Sequence, residues 1–315
     1  MEMLGETRVT KIGDTSIAWT ELGSGPPIVL LHGLADSHRT WRLAAPALAT
    51  RFRVVMPDLP GHGLSGRPDA PYTLEWYADT LVAWLDAAGI DRASLVGHSY
   101  GGGVAQWMAL RARARIDRLV LVAAGGLGRE VGLGLRIAAT PHLGLLLAQP
   151  LMGPCTRVMM RAAGNVDAAE IDRAAWMNTA PGAGRAFHRT VRGCIDVFGQ
   201  RLQTWDHIHE IDELPPMAIL WGDRDPIIPV GHAARARDRL AFASFAEYAG
   251  VGHFPHLEVP ERFSADLLSF FATDVGPARL RMPLVTARRP SRLRRWLTRL
   301  RETVVRLLSR RPALP

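Results

Sequence analysis

Cysteine is scarce in this chain of 315 residues, which contains only Cys155 and Cys194. Two cysteines this far apart do not form a disulfide framework, and they lack the paired spacing of a zinc site. No apolar segment follows a basic start at the N-terminus, so no secretory signal peptide is predicted. The most apolar segment, 131–152, is interrupted by arginine, histidine and proline, which makes it a poor transmembrane candidate. These absences favour a protein of the reducing cytoplasm.

The net charge of +8 is concentrated at the C-terminal end of the sequence. From residue 277 onward there are twelve arginines and one acid, Glu302, a net of +11, so the preceding residues carry −3. Apolar residues, including Trp296, recur at helical spacing within 291–310 and predict a basic amphipathic helix. Residues 274–315 are therefore interpreted as a tail that contacts an anionic membrane at its inner face, docks on a partner or on the slightly acidic body, or stays solvated. Nucleic acid is not an expected partner, because no nucleic-acid-binding fold accompanies the tail.

Short apolar runs alternate with helical patterns along most of the chain. Runs such as 27–32 and 93–98 are continuously apolar, as is typical of strands buried on both faces of a parallel sheet. Their alternation with helices predicts βαβ units. Residues 125–214 break the alternation and are predicted to be helical, without a strand. The sequence therefore predicts one α/β core, formed by 1–124 and 215–273, with a helical insertion after its sixth strand.

A G-x-S-x-G pattern lies at positions 97–101, between a predicted strand and a helix rich in small residues. A sharp turn there would project the side chain of Ser99 from the sheet, and the flanking glycines permit such a turn. Ser99 is therefore a candidate nucleophile, and the alternative is that it only caps the helix. A serine hydroxyl needs a base, and that base needs an orienting acid. Candidates in the expected chain order are Asp223 or Asp225, followed by His253.

Five motifs in this order and at this spacing resemble the α/β-hydrolase superfamily over residues 7–273. They are His32-Gly33, the Gly-rich run at 58–65, the pattern at 97–101, Trp-Gly-Asp-Arg-Asp at 221–225 and Gly252-His253. The resemblance implies a mostly parallel eight-stranded sheet flanked by helices, with the insertion as a helical cap. It also implies that Ser99 is the nucleophile, His253 the base and Asp225 the acid, with Asp223 as the structural alternative.

The resemblance places the oxyanion donors at the backbone N–H groups of Leu34 and Tyr100. His32 is expected to brace the loop beside them rather than to react, and Asp58 to stabilise the neighbouring turn. His256 is expected either to pack at the start of the last helix or to meet solvent. The implied chemistry is two-step acyl transfer through Ser99 and requires neither a metal ion nor an organic cofactor.

A serine at the nucleophile position limits the classes of substrate that the protein can cleave. Epoxide hydrolases and haloalkane dehalogenases resemble this layout but carry Asp at the nucleophile position, so Ser99 points to esters, lactones, thioesters or an activated C–C bond. Residues 120–128 are similar to meta-cleavage-product C–C hydrolases, whereas the loop 34–41 lacks their Asn- and Gly-rich stretch and Phe254 replaces their usual Trp. We expect a serine esterase for a small apolar substrate. The alternatives are a C–C hydrolase and a ligand-binding protein that keeps the triad without turnover.

Three apolar stretches of the insertion are candidates to line the acyl site, namely 143–147, 158–160 and 176–177. The alternative is that each packs only within the insertion itself.

Overall fold

Strands and helices alternate along the part of the chain that the computed structural model describes, residues 4–207, 210, 213–274 and 276–279. The strands are β1 Arg8–Ile12, β2 Thr15–Leu22, β3 Pro27–Leu31, β4 Arg53–Pro57, β5 Ala93–His98, β6 Ile116–Val122, β7 Ile195–Asp196, β8 Gly199–Gln200, β9 Glu213–Leu214, β10 Met217–Gly222, β11 Ser244–Tyr248 and β12 Ala278–Arg279. The helices are α1 Ala45–Leu48, α2 Leu74–Ala87, α3 Tyr100–Arg111, α4 Leu133–Ala138, α5 Pro141–Ala163, α6 Ala168–Met177, α7 Ala183–Cys194, α8 Gly231–Arg239, α9 Pro255–Glu258 and α10 Pro260–Ala272. The predicted helix of the tail lies outside the described residues.

Eight strands form the main sheet, in the order β1-β2-β4-β3-β5-β6-β10-β11. The pairings β1–β2 and β2–β4 are antiparallel, and all the other pairings of this sheet are parallel. Strands β5 and β10 are buried along their whole length. Burial on both faces explains why the central strands are continuous apolar runs. The sheet and its flanking helices confirm the α/β class and the mostly parallel eight-stranded sheet predicted from the sequence.

The sheet topology brings the candidate residues to one edge. Ser99 follows β5, Asp225 follows β10 and His253 follows β11. These three strands run parallel to one another within the sheet. Loops at the carboxyl ends of parallel strands lie at the same edge, where ligand sites of α/β proteins are found.

The insertion between β6 and β10 contains the helices α4 to α7 and also short strands. The prediction that residues 125–214 contain no strand is therefore wrong. Strands β7 and β8 form a hairpin, and β9 pairs antiparallel with β12. Two-residue strands are too short to show alternation in the sequence. Gly199, at φ 119°, supplies a backbone conformation that other residues rarely adopt.

The C-terminal boundary of the compact body differs from the boundary predicted from composition. Strand β12 lies within the segment assigned to the tail by composition, and the compact body of the protein extends to residue 279.

Helix α5 carries Pro150 and Pro154 in its interior. Each proline removes a backbone donor from the helix and favours a kink. Within the described residues, no helix is both long and apolar enough to cross a bilayer.

Candidate active site

Ser99 occupies a strained turn between β5 and α3. Its backbone has φ 53° and ψ −117°, and its side chain is half-buried. A residue other than glycine in such a conformation costs about 1–3 kcal/mol and persists where its surroundings hold it. Here the N–H of Ser99 donates to the carbonyl oxygen of Val122 (2.9 Å). Its own carbonyl oxygen accepts from the N–H groups of Gly102 (3.1 Å) and Gly125 (3.0 Å).

The glycines of the pattern allow α3 to pack closely against the sheet. A Cβ atom added to Gly101 would lie 2.5 Å from the carbonyl oxygen of Leu31. One added to Gly97 would lie 2.5 Å from the carbonyl oxygen of Gly101. Real Cβ atoms do not approach oxygen this closely, so a side chain at either position would push the helix away from the strands.

His253 and Asp225 form a buried hydrogen-bonded pair. Nδ1 of His253 lies 2.7 Å from Oδ2 of Asp225, and their side chains are 5% and 0% exposed. Oδ1 of Asp225 accepts from the N–H groups of Ile227 (2.8 Å) and Ile228 (2.9 Å), which fix its orientation. The N–H of His253 donates to the carbonyl oxygen of Ala163 in α5 (2.7 Å). Because an ionised Asp225 only accepts hydrogen bonds, Nδ1 carries the proton and Nε2 is left as an acceptor.

The alternative acid, Asp223, lies elsewhere. Its side chain is exposed, and Oδ1 accepts from the N–H of Gly250 (2.7 Å) in the turn after β11. Asp223 therefore stabilises a turn, and of the two acids it is Asp225 that contacts the imidazole of His253.

His256, the second histidine of this region, is fully buried. Its Nε2 lies 2.8 Å from Oγ1 of Thr40, and its ring lies 4.5 Å from that of Trp41 between centroids. Burial lowers the pKa of His256 to about 3, with a smaller contribution from the charge of His253. The expectation that His256 packs at the last helix is therefore met, and the solvent-exposed alternative is wrong.

The Gly33–Leu34 peptide runs beside Ser99. A Cβ atom added to Gly33 would lie 3.2 Å from Cβ of Ser99, and Leu34 lines the same cavity as Ser99. Tyr100 is the first residue of α3. Its N–H therefore has no partner within the helix. Both predicted donors thus belong to backbone next to the Ser99 side chain.

His32 and Asp58 fix the loop that carries Leu34. Nδ1 of His32 lies 2.7 Å from the carbonyl oxygen of Gly33, and its Nε2 accepts from the N–H of Leu59 (2.8 Å). Burial lowers the pKa of His32 and keeps the ring neutral, as this acceptor role requires. His32 therefore braces the loop, as the sequence predicts.

Asp58 accepts from the N–H of His38 (2.6 Å) through Oδ1 and from the N–H of Leu64 (2.7 Å) through Oδ2. Burial alone would raise the pKa of Asp58, but the hydrogen bond and charge of His38 outweigh it and lower the pKa. An ionised Asp58 thus joins the loop after β3 to the loop after β4. This is the structural role predicted for it.

A cavity in front of Ser99 combines residues of the core with residues of the insertion. The core contributes Gly33, Leu34, Ala35, Asp36, His98, Ser99, Ile227, His253 and Phe254, and the insertion contributes Leu135, Thr156, Met159, Met160 and Ala163. The predicted lining stretch 158–160 is thus confirmed through its two methionines. Trp176 is 72% exposed and absent from this lining. The side chains of 143–147 are outside the described part of the structure.

Asp36 is the acidic side chain of this lining. It is 7% exposed, and its Oδ1 accepts from the N–H of Ser37 (2.8 Å). Nη2 of Arg173 lies 3.7 Å from Oδ1. Burial raises the pKa of Asp36, and Arg173 partly offsets the effect. None of the sequence motifs includes Asp36, although its position three residues after Gly33 places an acid next to the predicted oxyanion loop.

Among the described residues, no group of three or more His, Cys, Asp or Glu side chains is placed to hold a metal ion.

Comparison with known proteins gives consistent matches. A model described as the alpha/beta hydrolase family matches residues 28–266. An uncharacterized protein of Mycobacterium tuberculosis is 36% identical over 267 residues, covering 81% of this chain and 78% of its own. The 2-hydroxymuconate semialdehyde hydrolase of Pseudomonas sp. strain CF600 is 31% identical over 257 residues, covering 79% and 88%. The solved meta-cleavage product hydrolase from Pseudomonas fluorescens IP01 is 25% identical, with a TM-score of 0.66 over 85% of this chain and 97% of that one.

Proposed function

Because the chain belongs to the alpha/beta hydrolase family, we propose that it is a serine hydrolase that cleaves carboxylic esters through an acyl-enzyme. Ser99 is the nucleophile, His253 the general base and Asp225 the acid that orients His253. One observation carries the proposal, namely the buried Asp225–His253 pair facing the cavity that the strained Ser99 also lines. Lactones and thioesters undergo the same acyl transfer and are included.

The reaction proceeds in two balanced halves. Nε2 of His253 takes the proton of Ser99 while the serine oxygen attacks the ester carbonyl, and the N–H groups of Leu34 and Tyr100 stabilise the oxyanion. Collapse of this intermediate expels the alcohol, which receives the proton from His253. Water then attacks the acyl-enzyme with the same base, and the carboxylic acid and free Ser99 are released. Asp225 stabilises the imidazolium in both halves without accepting its proton.

The cavity lining favours a neutral, apolar acyl group. The insertion serves as a cap in this proposal and supplies Met159 and Met160, flexible apolar side chains that adapt to substrates of varied shape. Among the described lining residues, Asp36 is the one carboxylate, and the lining contains neither lysine nor arginine. A substrate carboxylate would therefore meet no cation among these lining residues.

C–C bond hydrolysis of the meta-cleavage-product type is the second candidate. It is favoured by the 31% identity to a 2-hydroxymuconate semialdehyde hydrolase, whose named substrate is a carboxylate. The lack of lysine and arginine among the described lining residues argues against an anionic substrate in this chain. Turnover of a neutral ester without turnover of a dienoate ketone would favour the ester hydrolase, and the reverse preference would favour the C–C hydrolase.

For the tail we propose peripheral contact with an anionic membrane at the cytoplasmic face. The proposal rests on the sequence, in which twelve arginines from residue 277 onward accompany apolar residues at helical spacing. Co-sedimentation with anionic vesicles by the full chain, but not by a chain ending at residue 279, would support it. Equal binding by both chains would contradict it.

The experiment that tests the proposed function is labelling by a fluorophosphonate in the wild type and in Ser99→Ala. Turnover of p-nitrophenyl esters with acyl chains from two to twelve carbons is measured in parallel. We expect stoichiometric labelling and multiple turnovers that both vanish in Ser99→Ala. Folded wild-type protein that neither labels nor turns over would instead indicate a ligand-binding protein that keeps the triad residues.

A further inference from the structure

One face of α6 contacts residues 35–42, the loop segment next to Leu34. The contacting residues, which we call the stripe on α6, are Asp167, Glu170 and Arg173 at intervals of three, and Asn178 at the C-terminal end of the helix. Nη1 of Arg173 donates to Oγ of Ser37 (3.0 Å), and Nη1 of Arg42 lies 3.3 Å from Oε2 of Glu170. Arg42 also pairs with Asp167.

Asn178, at the C-terminal end of this stripe, is 6% exposed and contacts Ala35, the residue that follows Leu34. Its Nδ2 donates to the carbonyl oxygen of Ala35 over 2.7 Å. The same nitrogen lies 3.2 Å from Oγ1 of Thr156, a cavity residue of α5, and 3.0 Å from the carbonyl oxygen of Ala174. One side chain therefore joins the loop, α5 and α6 around the cavity.

The backbone that Asn178 holds is itself strained. Ala35 has φ 58°, the left-handed conformation that alanine rarely adopts. Such a conformation persists only where surrounding contacts impose it. The Asn178 hydrogen bond acts on the carbonyl of Ala35, whose own N–H belongs to the peptide that follows Leu34. The Leu34 N–H belongs to the preceding Gly33–Leu34 peptide, so rotation at Ala35 turns the Leu34–Ala35 peptide and, through it, the peptide that carries the Leu34 N–H.

We propose that Asn178 is a positioning residue, which holds the loop so that the N–H of Leu34 points at the developing oxyanion. The inference rests on the proposed acyl-transfer function. Asn178 does not touch the substrate in this arrangement; it acts through Ala35. Its effect therefore belongs to the tetrahedral intermediate rather than to binding of the substrate.

The test compares Asn178→Ala and Asn178→Asp with the control Gln149→Ala. Aspartate keeps the shape of asparagine but presents oxygen where the amide presents N–H groups. Gln149 is a matched amide of α5 whose contacts stay within the insertion, to the N–H of Gly184 and the carbonyl oxygens of Thr179 and Ala180. The readouts are kcat and KM for a p-nitrophenyl ester, the thermal midpoint, and Ki for an alkyl boronic acid. That acid bonds to the Ser99 oxygen and forms a tetrahedral adduct, with the serine proton passing to His253.

Both Asn178 variants are expected to lower kcat by about 10- to 100-fold, less than the loss of an oxyanion donor itself, with KM nearly unchanged. Ki for the boronic acid should rise by a similar factor, while Gln149→Ala leaves kcat and Ki near the wild-type values. Unchanged boronic acid affinity, equal losses in Gln149→Ala, or failure of both Asn178 variants to fold would overturn the inference. Wild-type protein without fluorophosphonate labelling would instead overturn the proposed function.

Discussion

Nε2 of His98 donates to the backbone carbonyl oxygen of His253, over 2.8 Å. His98 is the residue immediately before Ser99, so this bond ties the strand that presents the serine to the loop that presents the histidine. Burial holds the pKa of His98 well below its ordinary value, with smaller contributions from the charges of His256 and His253. The ring is therefore neutral, and its Nε2 carries the donated proton.

Replacing His98 by leucine is expected to misplace His253 relative to Ser99. Misplacement of about 1 Å can cost about a hundredfold in rate, so we expect kcat/KM to fall by about 10- to 100-fold. The measurement is esterase kinetics beside the rate of fluorophosphonate labelling, and both should fall together. The control is His207→Leu, which changes a histidine that follows a short 3-10 helix and lies outside the cavity lining. Normal labelling by His98→Leu would contradict the prediction.

Asp225→Asn should lower kcat by about a thousandfold to ten-thousandfold, because the amide no longer selects the imidazole tautomer that accepts the Ser99 proton. Asp223→Asn is the matched control, since Asp223 contacts only the turn at Gly250. It should retain kcat within a few-fold. The measurement is the steady-state kinetics of both purified variants. Similar losses of kcat in the two variants would argue against Asp225 as the acid.

Asp36→Asn should change which acyl groups are accepted. At a pH above the raised pKa of Asp36, where its carboxylate is charged, we expect kcat/KM for a p-nitrophenyl ester whose acyl chain ends in a carboxylate to rise by about tenfold relative to a neutral ester of equal length. The control is Asp69→Asn, which removes an exposed acid outside the cavity lining. The ratio of the two kcat/KM values is the measurement. A ratio unchanged in Asp36→Asn would show that Asp36 does not act on substrate charge.

Two glycines of α3 should respond in opposite directions to alanine. In Gly101→Ala the new methyl group would overlap the carbonyl oxygen of Leu31, so the free energy of unfolding should fall by about 3 kcal/mol or more. In Gly103→Ala the nearest atom, Cδ2 of Leu74, is 3.6 Å away. The same change should therefore raise the free energy of unfolding by about 0.5–1 kcal/mol through helix propensity. Urea unfolding of both variants provides the measurement.

Stability should fall as the pH falls below about 6.5, the ordinary pKa of an unfolded histidine. Burial lowers the pKa of His62 and His256 to about 3, so both rings are neutral in the folded protein. The unfolded chain takes up protons that the folded chain does not, and each ring contributes a loss of about 1.4 kcal/mol per pH unit. The loss continues down to about pH 3.

The variant His256→Gln should reduce this slope by about 1.4 kcal/mol per pH unit between pH 6 and pH 4. Thr40→Val is the control, because it removes the hydrogen bond to His256 but keeps the titrating ring buried. It should lower stability at every pH without changing the slope. Urea midpoints measured at several pH values would contradict the prediction if the two variants had equal slopes.

The sequence predicts those parts of the fold and the site that depend on short motifs and on the periodicity of neighbouring residues. Ser99 and Asp225 each follow a fully buried strand, His253 follows the last strand of the sheet, and the sheet order brings the ends of these strands together. The sequence could not predict contacts that depend on how the insertion packs. Asn178 and Ala35 are 143 positions apart, and no periodicity links them. The position of Leu135 could not be predicted either, because it lines the cavity from a helix of six residues, which is too short to show a clear amphipathic pattern.

The division of contacts between α5 and α6 has a consequence for how such a protein can diversify. Helix α5 contains two prolines and supplies Met159, Met160 and Ala163 to the cavity. Helix α6, by contrast, is hydrogen-bonded through its C-terminal cap to the loop beside Leu34. Replacements along α5 can therefore reshape the acyl site while leaving the backbone donors in place. Substitutions along α5 are therefore expected to change substrate preference with less loss of rate than substitutions in the stripe on α6.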